Sequence, residues 1–246
     1  MLFSILTLFP EAIEAYLDVG VLGVARSRGL VRVRTIDFRD FARDRHRTVD
    51  DRPFGGGPGM VLKPEPIVEA VEWLEERHGP HRRIALTPDG QPFTQAHASD
   101  LAGGPDATVA EDAAPVLLLC GRYEGFDERA LDLLAFERLS IGDYVLAGGE
   151  LPALVVLESV ARLVPGVLGD SRSAQQDSFT ESSRGGLDHP HYTRPRVFRG
   201  VEVPEVLLGG DHARIADWRR TESEKRTANT RPDLAHAREE DARESR

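Results

Sequence analysis

Three glycine-bearing stretches are the places where this sequence can do chemistry. Gly55-Gly56-Gly57-Pro58-Gly59, Gly121 with Gly125, and Gly142 with Gly148 and Gly149 each present backbone bare of side chains. Glycine lets main-chain N–H and C=O groups approach a ligand closely, which suits recognition of a nucleotide-like molecule. Two familiar nucleotide loops are absent. No G-x-x-x-x-G-K-[ST] string occurs, which excludes a Walker-type phosphate loop. No G-x-G-x-x-G sits between a strand and a helix, and the run at 55–59 follows the polar stretch His46–Pro53, so a Rossmann pocket is unsupported. Taken alone, the 55–59 run also fits a flexible surface loop.

The two later clusters carry more information because each directly follows an apolar run. Leu117-Leu-Leu-Cys-Gly-Arg-Tyr-Glu-Gly and Leu139-Ser-Ile-Gly-Asp-Tyr-Val-Leu-Ala-Gly-Gly-Glu-Leu-Pro place tight turns at strand ends, and Thr87-Pro-Asp-Gly closes a third run in the same way. Open α/β sheets bind ligands at the carboxyl ends of their strands. Three such loops can grip an adenine and a ribose through backbone groups, without a metal. The plainer alternative is that these glycines only close strands. Cys120, the single cysteine, excludes a disulfide framework and a zinc site of several thiolates. Its place after Val116–Leu119 reads as a buried strand-end thiol, which fits a reducing cytosol.

The elements that must position these loops are legible from apolar periodicity. Leu2–Leu8, Leu30–Ile36, Arg83–Leu86, Pro115–Cys120 and Phe136–Ile141 read as strands, several continuously apolar as in a sheet covered on both faces. Glu65–His78 and Glu150–Val164 carry apolar residues at helical spacing. Strand–helix alternation over about 165 residues predicts an α/β domain with a mainly parallel sheet. Pro165-Gly166 ends the pattern, and the polar, aperiodic stretch 169–186 reads as a flexible linker. The expected organisation is therefore a ligand-binding domain over 1–168, a linker over 169–186, and a small mostly helical domain over 187–246, with a helix around His212–Arg219. Gly103–Ala114 reads as an acidic surface loop, and the last dozen residues as a charged tail.

Charge limits how a polyanion could be held. The net charge is −10, and the first 170 residues account for all of it, with 17 basic against 27 acidic side chains. Residues 187–246 are neutral, with 12 of each. A nucleic acid must then meet local patches, not the field of the whole molecule. The candidates are Arg43, Arg45 and Arg47, and a C-terminal set that includes Arg194, Arg196, Arg199, Arg219, Arg220 and Lys225. Mixed-charge runs of this kind are also what a solvated face looks like. The apolar start has no basic leader, and no run approaches the roughly 20 residues that span a bilayer, so a cytoplasmic protein with no membrane partner is expected.

Six strings together carry a family resemblance: DRHRTVDDRPFGGGPGM (44–60), LLCGRYEG (118–125), SIGDYVLAGGELP (140–152), PGVLG (165–169), QDSF (176–179) and HPHYTRP (189–195). In order and in register, from residue 1 to about residue 235, the chain resembles the bacterial tRNA (guanine-N1)-methyltransferases, which modify the guanine 3′ of the anticodon. The resemblance implies a SPOUT-class α/β domain with a deep C-terminal trefoil knot, a topology that pattern reading alone never proposes. It further implies S-adenosylmethionine as methyl donor, the tRNA anticodon stem-loop as partner, and a homodimer with active sites at the subunit interface. It implies cofactor contacts at Leu86, Pro88, Gly121, Ile141, Gly142, Asp143, Tyr144, Val145, Leu146, Gly148, Gly149 and Pro152. It implies Mg²⁺ for methyl transfer as well, although no metal-ligand spacing is visible. The chain departs from the family pattern in a more polar run between Trp218 and Arg231 and in the longer insertion at 103–114.

The reaction itself fixes what the site must contain. Guanine N1 carries a proton and is a poor nucleophile, so transfer needs a base at N1 and a cation or hydrogen-bond donor at O6, where negative charge collects. The resemblance puts the base at Asp177, the O6 partner at Arg162, and an acceptor for the N1/N2 edge at Glu124. An ordinary aspartate is too weak a base alone, so a raised affinity for protons on closure and strong O6 stabilisation are expected to act together. A base on a polar segment that substrate orders completes the site only with the right substrate. RNA contacts are expected at Arg43, Arg45, His46, Arg52, the loop glycines Gly55, Gly57 and Gly59, Tyr123 and Arg194, through phosphates and stacked bases. Two other readings stay open on sequence grounds: a knotted ribose 2′-O-methyltransferase, and an RNA-binding homologue without catalysis.

Overall fold

The computed structural model describes residues 1–104, 114–169, 174 and 176–235. The insertion around 105–113, part of the expected linker and the tail from residue 236 lie outside the described residues. The chain divides into two compact units, Met1–Gly169 and Asp170–Arg246.

In the first unit, strands β1 (Leu2–Thr7), β2 (Arg32–Asp37), β5 (Arg82–Pro92), β6 (Val116–Cys120) and β7 (Glu137–Ser140) form one sheet in the order β2-β1-β6-β5-β7. Every pairing in it is parallel. Helices cover both faces, which is why β6 is buried along its whole length and carries no polar side chain. Its residues alternate between two cores. Leu118 and Cys120 join the cluster built with α1 (Pro10–Leu17), α2 (Gly20–Ser27), α4 (Gln95–Leu101) and α6 (Glu150–Ala161). Leu117 and Leu119 face the cluster built with α3 (Pro64–His78) and α5 (Glu128–Leu133). A period of two applied to an all-apolar run gives two cores from one strand.

Local chemistry sets the helix ends. Pro10 and Pro64 open α1 and α3, where a missing N–H costs nothing. Gly79 stops α3 at φ +80°. Thr94 and His97 form a reciprocal capping box on α4. An additional two-stranded ribbon, β3 (Asp50–Asp51) against β4 (Val61–Leu62), brackets the 55–59 loop; two-residue strands leave too little periodicity to be seen in sequence.

The expected strands are present with ends moved by one or two residues, except at β5. That strand continues to Pro92 with a register break between Leu86 and Gln91, so Thr87–Gly90 is a bulge inside the strand and not its end. At Gly90 the chain passes so close to β7 that a Cβ there would lie 2.3 Å from the Leu139 nitrogen. No described helix is long and apolar enough to cross a membrane.

The second unit contains the hairpin β8 (Val197–Phe198) and β9 (Val201–Glu202), turned by Arg199 and Gly200, both at positive φ. Its main helix, α7 (His212–Thr230), is capped by the Asp211 carboxylate, which accepts from the Arg214 N–H. This helix runs eleven residues beyond the expected Arg219. It has almost no apolar stripe, so periodicity gave no sign of its length, while Glu, Lys, Arg and Ala favour helix throughout. The turn before it is held by small polar groups. The Phe179 N–H donates to the Gly186 carbonyl at 2.6 Å, and the Thr180 hydroxyl donates to the Asp177 carbonyl at 2.7 Å. Thr227 of α7 is fully buried and accepts from the Leu187 N–H at 3.0 Å.

Candidate active site

Two carboxyl-edge segments cross above the sheet. The Gly149 N–H donates to the Gly121 carbonyl at 2.9 Å, and Arg122 and Gly148 form an antiparallel bridge. The crossing leaves no space for a side chain: a Cβ on Gly149 would sit 2.5 Å from the Cys120 Cα. Here glycine is required by backbone contact.

A buried charge network locks the crossing. Glu150, the first residue of α6 and only 5% exposed, accepts from the Thr7 hydroxyl at 2.7 Å and pairs with Arg122 at 2.8 Å. A carboxylate at a helix N-terminus is also favoured by the helix dipole. The Arg122 guanidinium lies 4.4 Å from the Phe9 ring centroid, and a Cβ on Gly148 would lie 2.3 Å from its Nε. The network joins the ends of β1 and β6 to the start of α6. Burial, and then the nearby Glu150 charge, push the Cys120 thiol well above its usual range, so it is a packing residue and not a nucleophile. Thr7, Phe9 and Glu150 were not among the sequence candidates. The only local signal was an acidic residue opening a helix after two glycines.

Beneath the crossing lies a cavity of about 370 Å³, within the usual range for small-molecule sites. Leu86, Pro88, Gly121, Ile141, Gly142, Tyr144, Val145, Leu146, Gly148, Gly149 and Pro152 line it. Of the expected cofactor set, Asp143 does not. On the rim Arg138 pairs with Asp89 at 2.6 Å and with Glu128. The lining therefore combines apolar side chains and glycines with the charged side chains of Asp89, Glu128 and Arg138.

Tyr123 and Glu124 also line the cavity. Tyr123 is exposed and held at φ +58°, an uncommon conformation for a residue with a side chain. The exposed Glu124 meets the 55–60 loop: its N–H donates to the Met60 carbonyl at 2.9 Å. A Cβ on Gly59, itself at φ +84°, would lie 2.2 Å from the Glu124 Oε1. The loop and Glu124, assigned separately to RNA and to the base edge, form one surface. Gly55 and Gly57 also have positive φ, and beside them Phe54 is 98% exposed.

The remaining candidates are distributed over both units. Arg43, Arg45, His46 and Arg52 are exposed on the first unit; Arg43 pairs with Glu69 at 2.6 Å. Asp44 braces this segment by accepting from the Thr48 hydroxyl and N–H, both at 2.8 Å, and those bonds hold its carboxyl below the ordinary range. Arg162 is the half-buried C-cap residue of α6. Asp177 is half-buried in the second unit, and Arg194 is exposed there.

Asp188, His189 and His191 gather three metal-ligating atoms within 4.8 Å in the second unit, a group the sequence analysis missed. Burial makes the His189 imidazole harder to protonate and outweighs the neighbouring Asp188 charge.

An all-parallel α/β sheet with a glycine-lined cavity at its carboxyl edge is the arrangement of a ligand-binding α/β domain. Comparison with known proteins makes this specific. The sequence model of the family described as "tRNA (Guanine-1)-methyltransferase TrmD" matches residues 1–237. A protein of Pelotomaculum thermopropionicum named tRNA (guanine-N(1)-)-methyltransferase is 50% identical over 95% of this chain and 89% of its own length. Proteins of the same name from Alcanivorax borkumensis and Geobacillus kaustophilus are 51% and 49% identical, over 96% and 95% of this chain and 85% and 91% of theirs. The chain belongs to the tRNA (guanine-1)-methyltransferase family, a family of enzymes.

Proposed function

We propose that this protein transfers the methyl group of S-adenosylmethionine to N1 of the guanine at position 37 of tRNA, 3′ of the anticodon. The observation that carries the reading is the cavity at the carboxyl edge of the sheet, lined by residues of the 86–89, 121–126, 138–142 and 144–149 segments, Glu124 among them. The cavity volume, apolar walls and side-chain-free backbone at Gly121 and Gly149 suit an adenosine and a bent methionine chain. The bound donor supplies an electrophilic sulfonium methyl. Asp177 takes the N1 proton as N1 attacks, Arg162 donates to O6 as charge collects there, and Glu124 accepts from the N1/N2 edge. The Arg122–Glu150–Thr7 network keeps the pocket's crossing rigid, so little reorganisation is left for the reaction step.

The same crossings support a trefoil-knotted segment, since Gly90 is pressed against β7 and Gly149 against β6. The expected homodimer, with its sites at the subunit interface, is supported by exposed apolar side chains beside the pocket. Val145 is 88%, Leu151 63% and Val155 44% exposed, and Leu151 and Val155 lie one turn apart on α6. Mg²⁺ does not fit the cavity wall well, because Asp89 and Glu128 there are already paired with Arg138 and Mg²⁺ needs an octahedral oxygen set; no step here runs through it.

Primer extension on tRNA transcript treated with enzyme and S-adenosylmethionine tests the reading. A strong reverse-transcription stop at guanine 37 is expected, because N1-methylation blocks base pairing. Methyl incorporation without that stop would assign the enzyme to ribose 2′-hydroxyl chemistry, and no incorporation would leave an RNA-binding homologue.

A further inference from the structure

We propose that Asp188, His189 and His191 form a transition-metal site of the kind that takes Zn²⁺, with three protein ligands and a fourth position for water. The inference concerns the second unit alone and does not rest on the methyl-transfer reading.

The geometry of the group is the first ground. The Asp188 carboxylate places Oδ1 2.6 Å from His189 Nδ1 and Oδ2 2.8 Å from His191 Nε2. The two imidazoles lie with centroids 4.4 Å apart, tilted by 45°, and all three ligand atoms fall within 4.8 Å of one another. A tetrahedral Zn²⁺ with bonds of about 2.0–2.2 Å holds its ligand atoms roughly 3.4 Å apart. The two carboxylate–imidazole spacings, 2.6 and 2.8 Å, fall somewhat short of that value, so small rotations of the side chains admit the ion where ring N–H groups now face a carboxylate.

The supports are the second ground. A metal ligand needs an outer set of contacts that fixes its direction. The Asp188 N–H donates to the Ser178 hydroxyl at 2.9 Å, and its Oδ1 accepts from the His189 N–H at 2.7 Å. Leu187, the residue before it, is clamped to α7 at both ends: its N–H donates to the Thr227 hydroxyl at 3.0 Å, and its carbonyl accepts from the Ser223 hydroxyl at 2.6 Å. Pro190 between the two histidines restricts the backbone further. On the other side the Trp218 ring meets His189 edge-on, centroids 6.4 Å apart. The backbone that carries Asp188 and His189 is thus held in place, while His191, with 70% of its side chain exposed, is the ligand that completes the set.

Donor type selects the ion. Two imidazoles and one carboxylate suit Zn²⁺, Co²⁺ or Ni²⁺ and not Mg²⁺ or Ca²⁺, which prefer oxygen sets. A bound ion would cross-brace the 187–191 segment next to Ser178, and with it the turn that carries Asp177.

The test uses the untagged full chain, stripped with a chelator and dialysed against ZnCl₂ or CoCl₂, with bound metal counted per chain. One equivalent is expected in the wild type, at least about tenfold weaker in His191→Ala and in Asp188→Asn, and not displaced by excess MgCl₂. A second reading uses the Trp73→Phe background, in which Trp218 is the remaining tryptophan: saturable Co²⁺ quenching is expected with His191 and lost in His191→Ala. Absence of stoichiometric uptake by the wild type overturns the proposal, as does uptake unchanged in both variants. If His191→Ala melts below the assay temperature, Asp188→Asn and the wild-type stoichiometry still decide.

Discussion

Gly59 and Glu124 come together although 65 positions separate them in sequence, and Gly59 is also held at φ +84°. Any side chain at 59 must displace the Glu124 carboxylate. Gly59→Ala is therefore expected to lower turnover on tRNA by about 10²-fold, the scale of a roughly 1 Å misplacement of a positioning group, with S-adenosylmethionine affinity unchanged by calorimetry. Equal loss of both would place the glycine's role in folding. At this scale the sequence exposed the pocket better than its bracing. The loop residues stand in contiguous strings, so most of the expected cofactor set lines one cavity. Phe9 and Glu150 reach Arg122 from distant positions, and no spacing rule encodes Thr7 at the end of one strand donating to Glu150 at the start of a helix 143 residues later.

Elements were legible where burial imposed a period and obscure where it did not. β6 is apolar because both its faces are covered, α3 carries a clear apolar face, and α6 is apolar nearly all round, with Leu151 and Val155 left exposed. The continuation of β5 past Thr87 was hidden because Pro88, Asp89 and Gly90 are turn residues, here spent on a bulge that passes over β7. The length of α7 was hidden because its contacts run through Ser223 and Thr227 and not through an apolar stripe. One element-level prediction concerns α3, which is tied to β5 by Arg83. Arg83 Nε donates to Glu75 Oε1 at 2.9 Å, and this bond holds the Glu75 carboxyl below its ordinary range. A lowered carboxyl contributes stability above its unfolded pKa and loses it as pH falls through the folded one. Glu75→Gln is expected to cost about 1–2 kcal/mol at neutral pH, read by denaturant unfolding, with the difference from wild type shrinking under acid conditions. A pH-independent difference would mean that packing, not charge, is what Glu75 supplies.

For the whole molecule, two compact units share one chain, and nearly all of the net negative charge belongs to the first. The distribution was plain in the sequence; the stretch 169–186 reads as a flexible linker, yet hydrogen-bonded turns form between 177 and 186, and composition cannot tell such turns from loose chain. The exposed Leu151 and Val155 belong to the proposed dimer interface. Leu151→Asp with Val155→Asp is expected to shift the protein from dimer to monomer in sedimentation velocity, with methyl transfer lost. An unchanged sedimentation coefficient would contradict that interface.

The central proposal is a division of labour in which the glycine-lined cavity is to hold the methyl donor and Asp177 is to remove the N1 proton. Single-turnover methylation of tRNA bearing guanine at positions 36 and 37, compared between wild type and Asp177→Ala, tests it most directly when donor affinity is measured on the same samples. The account predicts a loss of about 10²–10⁴-fold in the rate, with donor affinity retained. Methylation by Asp177→Ala at near the wild-type rate would contradict it.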